Sequence, residues 1–155
     1  MDIGVYLTVD ELVAMHDESD LIALAGIGGH NSANGRTINR ERLQSQIKRA
    51  QSLITGYIGS RYPSLSTLPN SEIDDAVKGA VSDLIMYWLR DRVADKSGVT
   101  EEWSNRYRAV IAWLKDIQAG KVDLTLPEAS PANQSEGGVQ YHFPTSRIDD
   151  ILKGY

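Results

Sequence analysis

The residues of this chain that could carry chemistry are three histidines, several carboxylate pairs and one glycine-rich run. His16, His30 and His142 do not fall at the i, i+4 spacing that lets two imidazoles share a zinc on one helix. His16 lies beside Asp17, Glu18 and Asp20, but the run lacks the alternating ligands and fixed glycine of a calcium loop. A polar helix terminus accounts for that cluster. Asp74–Asp75 and Glu101–Glu102 stand where helices open, and the helix dipole is sufficient reason for them. Nothing sets two carboxylates across a cleft, there is no G-x-S-x-G elbow, and there is no cysteine nucleophile. The run Gly26–Gly35 lacks the Lys-Ser/Thr pair of a phosphate-binding loop and any βαβ context, so it reads as a surface loop. The expectation is a protein without catalytic residues, metal ligands or cofactor. A small enzyme with a dispersed site is one of two alternatives to it.

The other concentrated feature is basic. Arg36, Arg40, Arg42, Lys48, Arg49 and Arg61 stand against one acid, Glu41, so residues 36–61 carry +5, while residues 1–35 carry −6 and no base at all. Opposed blocks of this kind pair within a subunit or between neighbours, where complementary potentials fix register more than affinity. Arg40, Arg42, Lys48, Arg49 and Arg61 are therefore candidate interaction residues. Nucleic-acid binding by a helical packaging or regulatory protein is the other alternative for this face. Against it stand a sequence pI near 5.1 and the lack of two helices joined by a tight turn.

The elements that must position these residues follow from periodicity. The chain has 155 residues, enough for one domain with a core, and 41% hydrophobic and 24% charged residues are the balance of a folded body. No apolar run reaches the roughly 20 residues of a membrane span, and Met1-Asp2-Ile3 lacks the basic start of a secretory signal. The absence of cysteine fits a reducing compartment. Thr8-Val9-Asp10-Glu11 reads as a capping box opening a short helix to about His16, and Ser19 or Asp20 as the cap of a turn or two over Leu21–Ala25. Leu43, Ile47, Ala50, Ile54 and Tyr57–Ile58 mark one face of a helix from Arg40 to about Ile58, capped by Asn39 and stopped by Gly59. Tyr62–Pro69 reads as an extended turn. Asn70 or Ser71 then caps a broadly hydrophobic helix through Trp88, broken near Lys96-Ser97-Gly98, and Thr100 caps a last helix to about Gln118, closed by Gly120. Trp88, Trp103 and Trp113 are read as core residues.

From Lys121 the composition turns polar and rich in proline, serine and glycine, which cannot fold alone. Within it Val139–Phe143 alternates with period two, as a strand does, and Ile148–Leu152 has the spacing of a helical turn. The reading is an all-α fold: four main helices in a small bundle over residues 1–120, then a flexible C-terminal docking arm, 121–155, that carries a short strand. Tyr141, Phe143, Ile151, Leu152 and Tyr155 are its candidate docking residues.

The order of these pieces resembles a small Mu-like phage and prophage family, long labelled a domain of unknown function and related in role to the head–tail connector (adaptor) proteins of tailed phages. The matching pieces are Tyr6-Leu7-Thr8-Val9-Asp10-Glu11-Leu12, the helix with Leu43, Ile47-Lys48-Arg49-Ala50 and Ile54-Thr55-Gly56-Tyr57-Ile58, the turn Arg61-Tyr62-Pro63, Ala80-Val81-Ser82-Asp83-Leu84-Ile85 with Tyr87, and the ending Ile151-Leu152-Lys153-Gly154-Tyr155. The Gly26–Gly35 run stands outside them. The resemblance implies a structural virion protein, assembled in the host cytoplasm and placed at the portal vertex. It implies a dodecameric ring of this chain between the portal protein and a tail or head-completion protein, with a channel for passing genomic DNA, no sequence-specific DNA contact and no membrane. It supplies no catalytic residue.

Overall fold

Thr8 opens the first helix, α1 (Val9–Met15), through a closed capping box. Its hydroxyl accepts from the Glu11 N–H at 3.2 Å, and its own N–H donates to the Glu11 carboxylate at 2.8 Å. In this computed structural model, residues 3–28, 36–92 and 100–126 are described. After α1 come α2 (Glu18–Ala25), strands β1 (Gly26–Ile27) and β2 (Thr37–Ile38), then the long helices α3 (Arg40–Ile58), α4 (Asp75–Asp91) and α5 (Glu101–Gln118). Two 3-10 turns, Pro63–Ser66 and Asn70–Glu72, join α3 to α4.

The three long helices pack against one another in every pairing and hold most of the core. Leu43, Ile47, Ala50, Ile54 and Ile58 of α3 meet Val77, Val81, Leu84 and Ile85 of α4 and Val110, Leu114 and Ile117 of α5, all buried. The steps of three and four that marked these helices are thus the steps of a packed face. Leu12 of α1 and Leu21 and Ala25 of α2 add an N-terminal cover to the same cluster.

The body is mostly helical but is not the expected four-helix bundle. Among the described residues it has five helices and a small antiparallel ribbon, with Gly26 opposite Ile38 and Ile27 opposite Thr37. The ribbon corrects the reading of Gly26–Gly35 as loop from its first residue: Gly26 is extended, and backbone pairing with Thr37–Ile38 carries it straight out of α2. Residues 29–35 lie outside the described residues. Helix α2 begins at Glu18 with Asp17 as its N-terminal flank, two or three residues earlier than Ser19 or Asp20 would allow.

Two other helix boundaries differ from their sequence signals. Gly59 keeps right-handed helical angles (φ −64°, ψ −28°), so the left-handed stop expected there is absent. The helix closes instead by the Arg61 and Tyr62 N–H groups folding back onto the Ile58 carbonyl. Helix α4 is capped by Asp74, whose carboxylate accepts from Ala76 N at 2.8 Å, and not by Asn70 or Ser71. Asn70 is occupied elsewhere, donating to the Val5 carbonyl and the Glu11 carboxylate. At α3 and α5 the reading holds: Asn39 and Thr100 cap them, and Gly120 follows α5 with φ +74°.

The N-terminal strand-like stretch is held to the turn after α3. Gly4 N–H donates to the Leu68 carbonyl at 2.9 Å, Ile3 bridges Pro69, and Tyr6 hydroxyl meets Thr55 Oγ1 at 2.8 Å. Gly4 has φ +70°, and a Cβ there would stand 2.6 Å from the Ser66 carbonyl oxygen. Both backbone angle and space demand glycine. Gly4→Val should therefore cost about 2 kcal/mol or more, read as a lowered urea midpoint with unchanged slope; a shift within error would contradict the packing described.

Candidate interaction surfaces

Helix α3 presents its bases around its outer side rather than along one line. At about 100° per residue, Arg40, Arg42, Lys48 and Arg49 fan over roughly half the helix circumference. Arg40 reaches the Asp10 carboxylate at 2.7 Å, with both groups well exposed. An exposed pair of this kind adds little stability; what it does is cancel charge on that edge. Arg49 lies over the Trp88 ring, 4.1 Å from its centroid, a cation–π contact that positions the guanidinium against α4. Lys48 is exposed and Arg42 half-buried, and neither forms an ion pair among the described residues.

Arg61 belongs to the interior bookkeeping of the fold. Its Nη1 donates to the carbonyls of Ile117 at 2.7 Å and Val122 at 2.8 Å, and Nη2 pairs with Asp123. It therefore stitches the end of α3 to the chain leaving α5, and is separate from the open basic face. Tyr141, Phe143, Ile151, Leu152 and Tyr155 lie outside the described residues. Residues Lys121–Leu126, by contrast, are laid on the body: Leu124 N–H donates to the buried Tyr62 hydroxyl at 2.9 Å, Thr125 to Asp74 at 2.7 Å, and Val122, Leu124 and Leu126 pack against the core.

Among the described residues, the acidic N-terminal block meets bases inside the subunit at three places. Besides Asp10–Arg40, Glu11 holds Lys78 at 2.6 Å and Asp20 faces Arg90 at 3.7 Å. Glu11 is the hub of the first group. Burial would raise its pKa, but Lys78, the Thr8 N–H and hydroxyl, and Asn70 together hold it down at about 2. Asp17 and Glu18, at the corner between α1 and α2, are exposed and form no ion pair among the described residues.

One contact that periodicity missed has the outline of a catalytic pair. His16 Nε2 lies 2.7 Å from Ser82 Oγ. Ser82, however, is 4% exposed in the middle of α4, so its hydroxyl is shut off from an attacking geometry on a carbonyl. The bond is a structural tie between the α1–α2 corner and the core. Trp103 leans on His16 and is flanked by Arg90 and Arg106, which lie 4.8 and 5.0 Å from its ring centroid. Trp88, Trp103 and Trp113 are all half-buried at the rim, a correction to their reading as core, because each indole sits where α4 or α5 meets charged neighbours or solvent.

Burial lowers the His16 pKa from 6.5; Asp83 and Asp20 oppose this, and Arg90 and Arg106 add to it. The neutral imidazole is favoured in the fold, so its stabilisation is full above pH 6.5 and is lost as pH falls below that value. Thermal melts from pH 7.5 to 5.5 should show this loss, and His16→Gln should flatten it. Identical slopes for both proteins would contradict the assignment.

Among the described residues no group of three or more His, Asp or Glu side chains is placed to hold a metal ion, and no helix is long and apolar enough to cross a membrane. With site geometry offering contact surfaces, kinship is the deciding observation. The sequence profile of a phage protein family, bacteriophage Mu Gp36, matches residues 6–143. The chain belongs to that family. The Gp36 match takes in the described residues from Tyr6 onward and runs past Leu126 to Phe143. Membership makes this a phage structural or assembly protein. Among individually curated proteins, none matches this Gp36-family chain significantly.

Proposed function

We propose that this Gp36-family chain is a head–tail connector subunit, one copy of a ring that joins portal to tail at the virion's portal vertex. The observation that carries the reading is the distribution of unspent charge on a phage structural body. Asp17 and Glu18 at the α1–α2 corner, and Arg42 and Lys48 on α3, are left without intrachain partners among the described residues. A ring needs head-to-tail contacts between unlike patches of identical subunits, and opposite charges kept on separate elements suit that geometry. The ring is taken as dodecameric, from the role of related adaptors. Its other partners are the portal protein and a tail or head-completion protein, with Tyr141, Phe143, Ile151, Leu152 and Tyr155 as the docking side chains beyond the body. The work is done by shape and contact, without a covalent step.

Genomic DNA passes such a ring without being gripped. The net charge of −5 repels phosphate, and the bases of α3 fan out, with Arg40 cancelled by Asp10. Light scattering at high protein concentration, followed by negative-stain images with and without portal protein, tests the proposal. Closed rings are the expected result. A subunit that stays monomeric with portal present, and that binds duplex DNA tightly with a steep salt dependence in fluorescence polarisation, would replace it with the nucleic-acid reading.

A further inference from the structure

Helices α3 and α5 leave an open groove of about 400 Å³ between them. Its floor is apolar, made by Leu53 and Tyr57 of α3 with Tyr107 and Ile111 of α5, and all four are only half-buried. Its rim is cationic. Arg108 and Lys115, two helical turns apart on α5, are exposed and form no ion pair among the described residues, and no carboxylate lines the groove. An apolar floor with unanswered positive charge at its edge asks for a convex apolar group flanked by acids.

The same chain carries such a group on another face. Met15 ends α1 and is 47% exposed, one of the few large apolar side chains left open among the described residues. Asp17 and Glu18 follow it around the α1–α2 corner, exposed and unpaired among the described residues. The corner is fixed rather than loose, since His16 is tied to Ser82 of α4 and leans on Trp103. It packs on α4 and the start of α5, whereas the groove is lined by α3 and α5 alone. One subunit therefore presents the two halves on different faces, and they meet only between copies.

We infer that the Met15–Glu18 corner of one copy seats in the α3–α5 groove of a second copy, with Met15 between Tyr57 and Tyr107 and the acids against Arg108 and Lys115. Methionine suits an irregular aromatic-lined cavity, because its flexible, polarisable thioether fills gaps and packs on ring edges. The contact is heterologous: corner to groove leaves a free groove on one copy and a free corner on the other, so it propagates until it closes. This inference rests on the ring reading for its biological setting and names the two surfaces that reading leaves open.

The chain has no cysteine, so engineered pairs report the contact directly in the full-length protein. Met15→Cys with Ala112→Cys, at the groove, should give a ladder of disulfide-linked multimers on mild oxidation. It should form about tenfold faster than a Ser71→Cys with Ala112→Cys control, because complementary charge steers the encounter, and added salt should slow it. Reversing the rim with Arg108→Glu and Lys115→Glu should abolish the ladder, and adding Asp17→Lys and Glu18→Lys should restore it. All four positions are exposed, so circular dichroism should find each variant folded. Equal rates for test and control pairs, or indifference to charge reversal, overturn the contact. Rings of the wild-type chain without the ladder would remove this contact and leave the connector reading standing. A product that stops at a doubly linked dimer would support the contact and overturn the ring.

Discussion

Arg61→Ala should lower stability by ~3 kcal/mol and the melting temperature by about 10 °C. The guanidinium donates to two carbonyls that have left the regular helix ladder, Ile117 at the end of α5 and Val122 just beyond it. Bonds from a charged donor are worth roughly 1.5–3 kcal/mol each; the Ile117 carbonyl keeps the Gly120 N–H at 3.0 Å, while the Val122 carbonyl loses its donor. The Asp123 ion pair contributes less, since that carboxylate is largely exposed. Arg61→Lys should recover about half of the loss, because one ammonium cannot serve both the carbonyls and the carboxylate as the two-pronged guanidinium does. Trypsin reads the local consequence: cleavage after Lys121 should accelerate in Arg61→Ala well before global unfolding. If protection at Lys121 is unchanged, Arg61 is not what holds that stretch.

Removing the Glu11 carboxylate should be comparably costly. Glu11→Ala deletes half of the α1 capping box, worth ~1 kcal/mol, and leaves the Lys78 ammonium with 11% of its side chain exposed and no carboxylate. An uncompensated charge of that kind costs about 3–5 kcal/mol when fully buried. Because Glu11 itself is partly open, the charge contribution falls below that range, to about 2 kcal/mol, and a total of ~3 kcal/mol is expected. Glu11→Gln keeps an acceptor for the Thr8 N–H and should lose less. Lys78→Met placed on Glu11→Gln should recover stability, since it removes the stranded charge. The pH dependence carries the same signature. The folded Glu11 pKa is depressed to about 2 from 4.5, so its stabilisation is complete above pH 4.5 and drains away as pH falls toward 2. Acid titration of the wild type should show that decline, and Glu11→Gln should lack it. Parallel acid curves would show that the carboxylate network is not where the structure puts its weight.

Helices α3 and α5 were legible because everything that defines them is local. Leu43, Ile47, Ala50 and Ile54 repeat along α3, and Asn39 and Thr100 supply caps three residues from the amides they satisfy. The join between α3 and α4 was not legible in the same way. Asn70 has the composition of a helix cap, but tertiary bonds to Val5 and Glu11, about sixty residues away in sequence, take it, and Asp74 caps α4 instead. Arg61 reads as one more base on a basic helix because its acceptors are backbone carbonyls, which no side-chain pattern reveals. The tryptophans misled for a related reason. Their size and spacing say core, whereas the arginines stacked on Trp88 and Trp103 come from other helices or other turns and make a half-open rim comfortable. Of the candidate surface, the bases of α3 could be named from sequence. Which of them the fold cancels, stacks or leaves bare depends on Asp10 and Trp88, which sequence spacing does not bring together.

The turn between α3 and α4 does more than connect them. Leu68 and Pro69 receive the start of the body through Gly4 and Ile3, while Arg61 and Tyr62 receive its end through Val122 and Leu124. Entry and exit of the chain are thereby moored at a single pole. The β1–β2 ribbon and the head of α3 lie a helix length away, at the other end of α3. A subunit wired in this way has a built-in up and down before it meets any partner.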